Sequence, residues 1–255
     1  MKLESEVHIQ NEEFLRESDF SGLSSAKGIT IEPSQQSRLA FLTDPTGLAV
    51  EQYKLLRRRL NVLHPRGGVL LITSPGPGDG KTLTSVNTSW SLAKNGDNTC
   101  LIDLDFRAPG IAAALGHATE GAGVESVLTG KCTVRESIRQ INDLPLYVLG
   151  MEDRHPSPDE FLTSTVLVPF ISELRTIYHW VILDLPPASP MSDVAEVLPY
   201  VDGALMVVRA GQTKRALISK ATEVLGQKLI GFISNESPVI GSDYYNYYGS
   251  RGSKR

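Results

Sequence analysis

Lys81 and Thr82 close a loop whose residue types suit the handling of a phosphate chain. The run Thr73-Ser74-Pro75-Gly76-Pro77-Gly78-Asp79-Gly80-Lys81-Thr82 follows the apolar segment Val69-Leu70-Leu71-Ile72 and leads into helix-compatible Leu83-Thr84-Ser85-Val86. Glycines let backbone N–H groups turn inward around an anion, and a following helix adds the partial positive charge of its N-terminus. Lys81 would reach the β- and γ-phosphates, and the Thr82 hydroxyl would ligate Mg²⁺. Pro75 stands where the strict G-x-x-x-x-G-K-[ST] pattern has glycine, so the loop is a variant. Two acidic motifs complete the set. Asp103 and Asp105, with Arg107, follow the apolar run Cys100-Leu101-Ile102, and Asp184 ends the run Trp180-Val181-Ile182-Leu183. Nucleotide-bound Mg²⁺ needs only one or two carboxylates, which Asp103 and Asp184 can supply.

These motifs need a sheet edge to bring them together. Short apolar runs at Val69–Thr73, Thr99–Leu104, Leu146–Leu149, Trp180–Leu183, Ala204–Val208 and Leu229–Ile233 alternate with helix candidates near 81–95, 124–129, 158–177, 192–200 and 214–226. That alternation predicts an α/β fold, a P-loop NTPase with a mostly parallel twisted sheet covered by helices on both faces. Ligands in such folds sit at the carboxyl ends of the strands, where the three motifs fall. Residues 1–45 read as a flexible acidic arm, 46–240 as the nucleotide-binding domain, and 241–255 as a mobile tyrosine-rich tail. An amphipathic helix over Leu48–Leu60 precedes the core and ends at His64-Pro65.

The totals narrow the function classes. With 25 Lys and Arg against 29 Asp and Glu in 255 residues, the net charge of −4 argues against a nucleic-acid partner. Two cysteines cannot build a disulfide framework and fit a reducing compartment. No apolar run approaches the roughly 18–20 residues that span a bilayer, and the N-terminus does not read as a signal peptide. The expected location is the cytoplasm, with any membrane contact made through a partner. Gly121-Ala122-Gly123 lacks the rest of a dinucleotide fingerprint, and the five histidines show no metal-ligand spacing.

Together these motifs resemble the bacterial tyrosine autokinases of capsule and exopolysaccharide export, over about residues 42–248. Also similar are Glu51-Gln52-Tyr53-Lys54-Leu55-Leu56-Arg57, Gly123-Val124-Glu125-Ser126-Val127-Leu128, Pro190-Met191-Ser192-Asp193 and Val201-Asp202-Gly203. The resemblance implies a kinase that uses ATP and Mg²⁺ and labels its own tail. Gly76, Pro77, Gly78, Asp79, Gly80, Lys81, Thr82 and Leu83 would then cradle the phosphates, and Asn235 would contact adenine. Thr82, Asp103 and Asp184 would hold the metal, Asp103 would serve as base toward tyrosine, and Asp105 would support it. Tyr244, Tyr245, Tyr247 and Tyr248 would be acceptors, modified in trans.

A stripe of Glu51, Lys54 and Arg57 would join subunits into a ring, with Lys54 where the family has Arg; lysine keeps the charge and loses the bidentate fork. The implied partners are a separate membrane polysaccharide copolymerase, which recruits the kinase to the inner face of the plasma membrane, and a cognate tyrosine phosphatase. The competing class is an ATPase switch of the ParA/MinD type, which shares the sheet and the nucleotide motifs. Those switches carry a signature lysine five positions before the loop lysine; that position here is Gly76.

Overall fold

The computed structural model describes residues 26–32, 38–116, 121–156, 158–190 and 192–237. In chain order the elements are β1 (Lys27–Ile29), α1 (Ala40–Thr43), α2 (Leu48–Leu63), β2 (Gly68–Thr73), α3 (Lys81–Lys94), β3 (Thr99–Asp103), α4 (Ile111–Leu115), α5 (Val124–Leu128) and α6 (Val134–Ser137). There follow β4 (Arg139–Ile141), β5 (Leu146–Leu149), α7 (Ser164–Ile177), β6 (Trp180–Asp184), α8 (Asp193–Val197), β7 (Gly203–Arg209), α9 (Arg215–Leu225) and β8 (Leu229–Asn235).

The strands form one eight-stranded sheet in the order β1-β4-β5-β3-β6-β2-β7-β8. Every pairing is parallel except β4 with β5. Strand alternation divides the core between the two faces. Leu71, Ile102, Leu183 and Met206 enter one apolar cluster, and Leu70, Leu101, Ile182 and Leu205 enter the other. Burial of such side chains contributes about 1.5–3 kcal/mol each before conformational entropy is charged against it. Both tryptophans are enclosed, Trp90 on α3 and Trp180 at the start of β6. Strand β8 closes one edge half-exposed, with Phe232 turned to solvent.

The expected alternation is present, with two additions and one altered boundary. Strands β1 and β4 are three residues each, too short to leave an apolar run. Before residue 45, the described residues 26–32 and 38–44 pack against the domain. Asn142 grips Ile31 by accepting from its N–H and donating to its carbonyl, and Ala40 N–H donates to Asn87 Oδ1. Leu39, Ala40 and Phe41 are buried behind this anchor. Residues 1–25, and the tail with Tyr244, Tyr245, Tyr247 and Tyr248, lie outside the described residues.

Helix α2 runs three residues past its expected end and stops at His64, whose N–H bonds to the Leu60 carbonyl. Lys54 Nζ pairs with Glu51 Oε1 at 2.7 Å along the helix. Arg57 donates to the Ser91 carbonyl on α3 at 2.9 Å. Among the described residues no helix is long and apolar enough to cross a membrane.

Candidate functional site

The loop between β2 and α3 takes its shape from backbone positions open to glycine. Gly78 and Gly80 have φ of 79° and 94°, in the left-handed region that costs a side chain strain. Gly80 carries a second constraint, because a Cβ there would meet Asn235 Nδ2 at 2.0 Å. Asp79 folds inward: its Oδ2 accepts from Gly76 N–H at 3.1 Å and its Oδ1 accepts from the Thr213 hydroxyl at 2.7 Å. Asn235 donates its side-chain amide to the Asp79 carbonyl at 3.0 Å. The ends of β7 and β8 thus brace the loop from one side, while Thr73 bonds to the Pro186 carbonyl after β6.

Lys81 is the first residue of α3 and sits among carboxylates. Its Nζ lies 2.7 Å from Asp105 Oδ2, 3.7 Å from Asp184 Oδ2 and 3.2 Å from Thr82 Oγ1. Burial by itself would weaken the ammonium, but Asp184 and Asp105 outweigh it and hold the Lys81 pKa above its ordinary value. Asp103 and Asp184 end neighbouring strands in register. Burial, and then the charge of Asp184, push Asp103 up to about 7 against the pull of the Ile111 N–H and Lys81. Asp184 is also raised, chiefly by burial, against the pull of Lys81 and the Ser85 hydroxyl.

Each carboxylate is oriented by a distinct set of donors. Asp103 Oδ2 accepts from Gly110 and Ile111 N–H at 3.0 Å, and its Oδ1 accepts from Asp105 N–H at 3.1 Å. Asp184 Oδ1 accepts from the Ser85 hydroxyl at 2.9 Å. Asp184 Oδ2 is buried and accepts no hydrogen bond. Such an oxygen suits a cation, and Thr82 Oγ1 is a neutral oxygen beside the same lysine. Among the described residues no group of three or more His, Cys, Asp or Glu could hold a metal ion unaided. The donor set therefore fits a hard cation that takes its other ligands from phosphate and water, as nucleotide-bound Mg²⁺ does.

The loop opens onto a cavity of about 1250 Å³ lined by Gly78, Gly80, Thr82, Leu83, Arg209 and Asn235, and farther along by α4 and residues 30–32 and 38. Arg209 is held by Glu236 through Nε to Oε2 at 2.7 Å. Pro77 and Gly76 belong to the same turn, Gly76 with Leu217 close enough to touch an added Cβ at 3.5 Å.

Several contributors carried no local sequence signal. Thr213 lies 134 residues from Asp79 and Ser85 lies 99 from Asp184. Ser85 is four residues after Lys81 on α3, a helical spacing that puts both on one face. Arg107 of the acidic motif reaches toward α8. It clamps buried Asp193 through Nε and a terminal nitrogen at 3.1 and 3.2 Å, tying the segment after β3 to α8.

No protein-family model matches the chain. Over 221 residues it is 30% identical to the tyrosine-protein kinase YwqD of Bacillus subtilis, covering 85% of this chain and 93% of that one. The solved kinase domain of the Escherichia coli tyrosine kinase ETK superposes with a TM-score of 0.73 at 25% identity, covering 84% and 90% of the two chains. The cell-division protein MinD of Pyrococcus horikoshii, solved with Mg-ADP, has a TM-score of 0.55 at 18% identity, covering 70% and 76%. At that identity the MinD likeness extends to the fold alone.

Proposed function

The chain belongs to the bacterial tyrosine-protein kinases, and on that premise we propose that it moves the γ-phosphoryl group of ATP onto its own C-terminal tyrosines, one copy labelling another. The observation that carries this reading is Lys81, held between Asp105 and Asp184 at the mouth of a glycine loop. Transfer between oxygens leaves little covalent work for a protein; positioning and charge compensation dominate. The loop N–H groups and Lys81 would orient the phosphates and stabilise charge as the bond to the leaving oxygen lengthens. When bound, Mg²⁺ neutralises charge across the β- and γ-phosphates, and Thr82, Asp184 and Asp103 are the residues that would hold it.

A tyrosine hydroxyl has a pKa near 10 and attacks better with a base in hydrogen-bond reach. Asp103 is the proposed base, a carboxylate at the end of β3 beside Asp184. Asp105 supports Lys81 from the far side. Asn235 would border the base of the nucleotide while bracing the loop.

The proposed acceptors are Tyr244, Tyr245, Tyr247 and Tyr248, four of the eight tyrosines within five positions. Several phosphates there would add dense negative charge, which favours separation of packed subunits. Glu51, Lys54 and Arg57 would form the ring contact once their pairings within one chain rearrange. The physiological setting we infer is control of capsule or exopolysaccharide polymerisation and export, with a membrane copolymerase as the activating partner and a tyrosine phosphatase as the reset.

The test is mass spectrometry of the C-terminal peptide from cells carrying wild type or Lys81→Met. Phosphate on Tyr244–Tyr248 in wild type alone is the expected result. Unmodified tyrosines in both, while polymer is being made, would overturn it.

A further inference from the structure

An acidic side chain inside a loop built to cradle phosphates is a conflict that the fold has to resolve. Asp79 stands between Gly78 and Gly80, and both glycines line the cavity while Asp79 does not. Asp79 is 5% exposed and, among the described residues, makes no ion pair. A buried carboxylate without a cation depends on hydrogen-bond donors to make its charge tolerable. Asp79 has Gly76 N–H at 3.1 Å on Oδ2 and the Thr213 hydroxyl at 2.7 Å on Oδ1.

Of these donors, Gly76 N–H belongs to the loop and moves with it. Thr213 does not. It sits between β7 and α9, where Arg209 at the end of β7 fixes it from behind. Thr213 Oγ1 accepts from Arg209 N–H at 2.8 Å, and Thr213 N–H donates to the Arg209 carbonyl at 3.1 Å. A hydroxyl has one proton to give. Asp79 Oδ1 at 2.7 Å and the Arg209 carbonyl at 3.2 Å compete for it, and the shorter contact to a charged oxygen is the stronger. The N–H arriving from Arg209 polarises the hydroxyl and makes it a better donor to Asp79.

We infer that Thr213 is a positioning residue of the nucleotide site: its hydroxyl holds the Asp79 carboxylate away from the phosphate chain, so that Asp79 meets the nucleotide through its backbone N–H alone. The role rests on the loop binding a nucleotide. Without the hydroxyl, Asp79 Oδ1 loses its donor, and rotation about the Cα–Cβ bond can carry the charge toward the cavity that Gly78 and Gly80 line. There it would oppose a highly charged anion. Thr213 thus acts on the phosphates through Asp79 and touches no part of the nucleotide itself.

The experiment is calorimetric titration of the full-length chain with Mg·ATP, for wild type, Thr213→Val, Thr213→Ser, and Thr213→Val combined with Asp79→Asn. Thr213→Val is expected to weaken binding about tenfold, the low end of what a hydrogen bond to a charged group supplies. Thr213→Ser keeps the hydroxyl and is expected to bind as wild type does. Adding Asp79→Asn to Thr213→Val removes the charge and is expected to restore most of the affinity, a rescue that a merely structural threonine would not allow. Thr213→Ala makes the same deletion where valine crowds its neighbours. Wild-type affinity in both Thr213→Val and Thr213→Ala overturns the assignment. So does a serine variant as weak as the valine one, or a double variant that recovers nothing. A wild-type chain that takes up no ATP overturns the nucleotide reading itself, and this role with it.

Discussion

Asp103 and Asp184 face one another across register-paired positions of β3 and β6, and both are shut off from solvent. Two carboxylates so placed resist joint ionisation, and Lys81 compensates only part of the repulsion. The pair gives the site an affinity for positive charge before any ligand arrives.

The first prediction concerns pH. Without nucleotide or divalent cation, Asp103 holds its proton up to about 7 in the folded state. The unfolded chain releases it near 3.9. The native state therefore binds more protons across that window, so stability falls as pH rises from about 4 to about 7 and levels above it. Urea denaturation at several pH values checks this, and Asp103→Asn is expected to flatten the slope.

Lys81→Met removes the cation that Asp105 and Asp184 share. Breaking one side of a buried pair typically costs about 3 kcal/mol. The variant is expected to unfold at lower urea than wild type at pH 7, with a smaller gap at pH 5, where a carboxylate can take up a proton. An equal gap at both values would mean that charge is not the cause.

Gly80→Ala meets two obstacles, a φ of 94° and the Asn235 amide. Nucleotide affinity is expected to fall at least tenfold, measured by calorimetry. Adding Asn235→Ala removes the collision and leaves the backbone strain, about 1–3 kcal/mol. The double variant is expected to recover part of the loss.

Arg107 and Asp193 are best examined by a double-mutant cycle. Asp193 is 1% exposed, so Arg107→Ala leaves a buried charge with its bidentate partner gone. Arg107→Ala alone is expected to destabilise by more than Arg107→Ala with Asp193→Asn, a coupling on the order of 1–3 kcal/mol. A coupling near zero would return Arg107 to the surface ion pairs.

The parts readable from sequence are those written in contiguous residues. Leu70-Leu71-Ile72, Val181-Ile182-Leu183 and their counterparts announce buried parallel strands because they are apolar on both faces. Arg139-Gln140-Ile141 does not, since β4 is a short strand near the sheet's edge that pairs antiparallel with β5. The glycine loop is local and legible, whereas its brace by Thr213 is made across the fold. Asn235 also donates its amide to the Asp79 carbonyl, a contact no spacing could foretell. The segment around Ile31 and Phe41 is polar on average, so its burial depends on Asn142 and Asn87 supplying the hydrogen bonds its backbone needs. Glu51, Lys54 and Arg57 form a stripe legible from their three-residue spacing; within one chain Lys54 pairs with Glu51 and Arg57 donates to the Ser91 carbonyl on α3.

The two tryptophans give the protein an optical reporter of its own. Trp90 rides on α3, the helix that begins with Lys81, and Trp180 opens β6, the strand that ends at Asp184. Both indoles are dark to solvent, and no third one adds a surface background to the emission. Loosening of either element should red-shift the fluorescence, so a cuvette and an ultraviolet lamp can follow the integrity of the two supports beneath the phosphate loop without any attached dye.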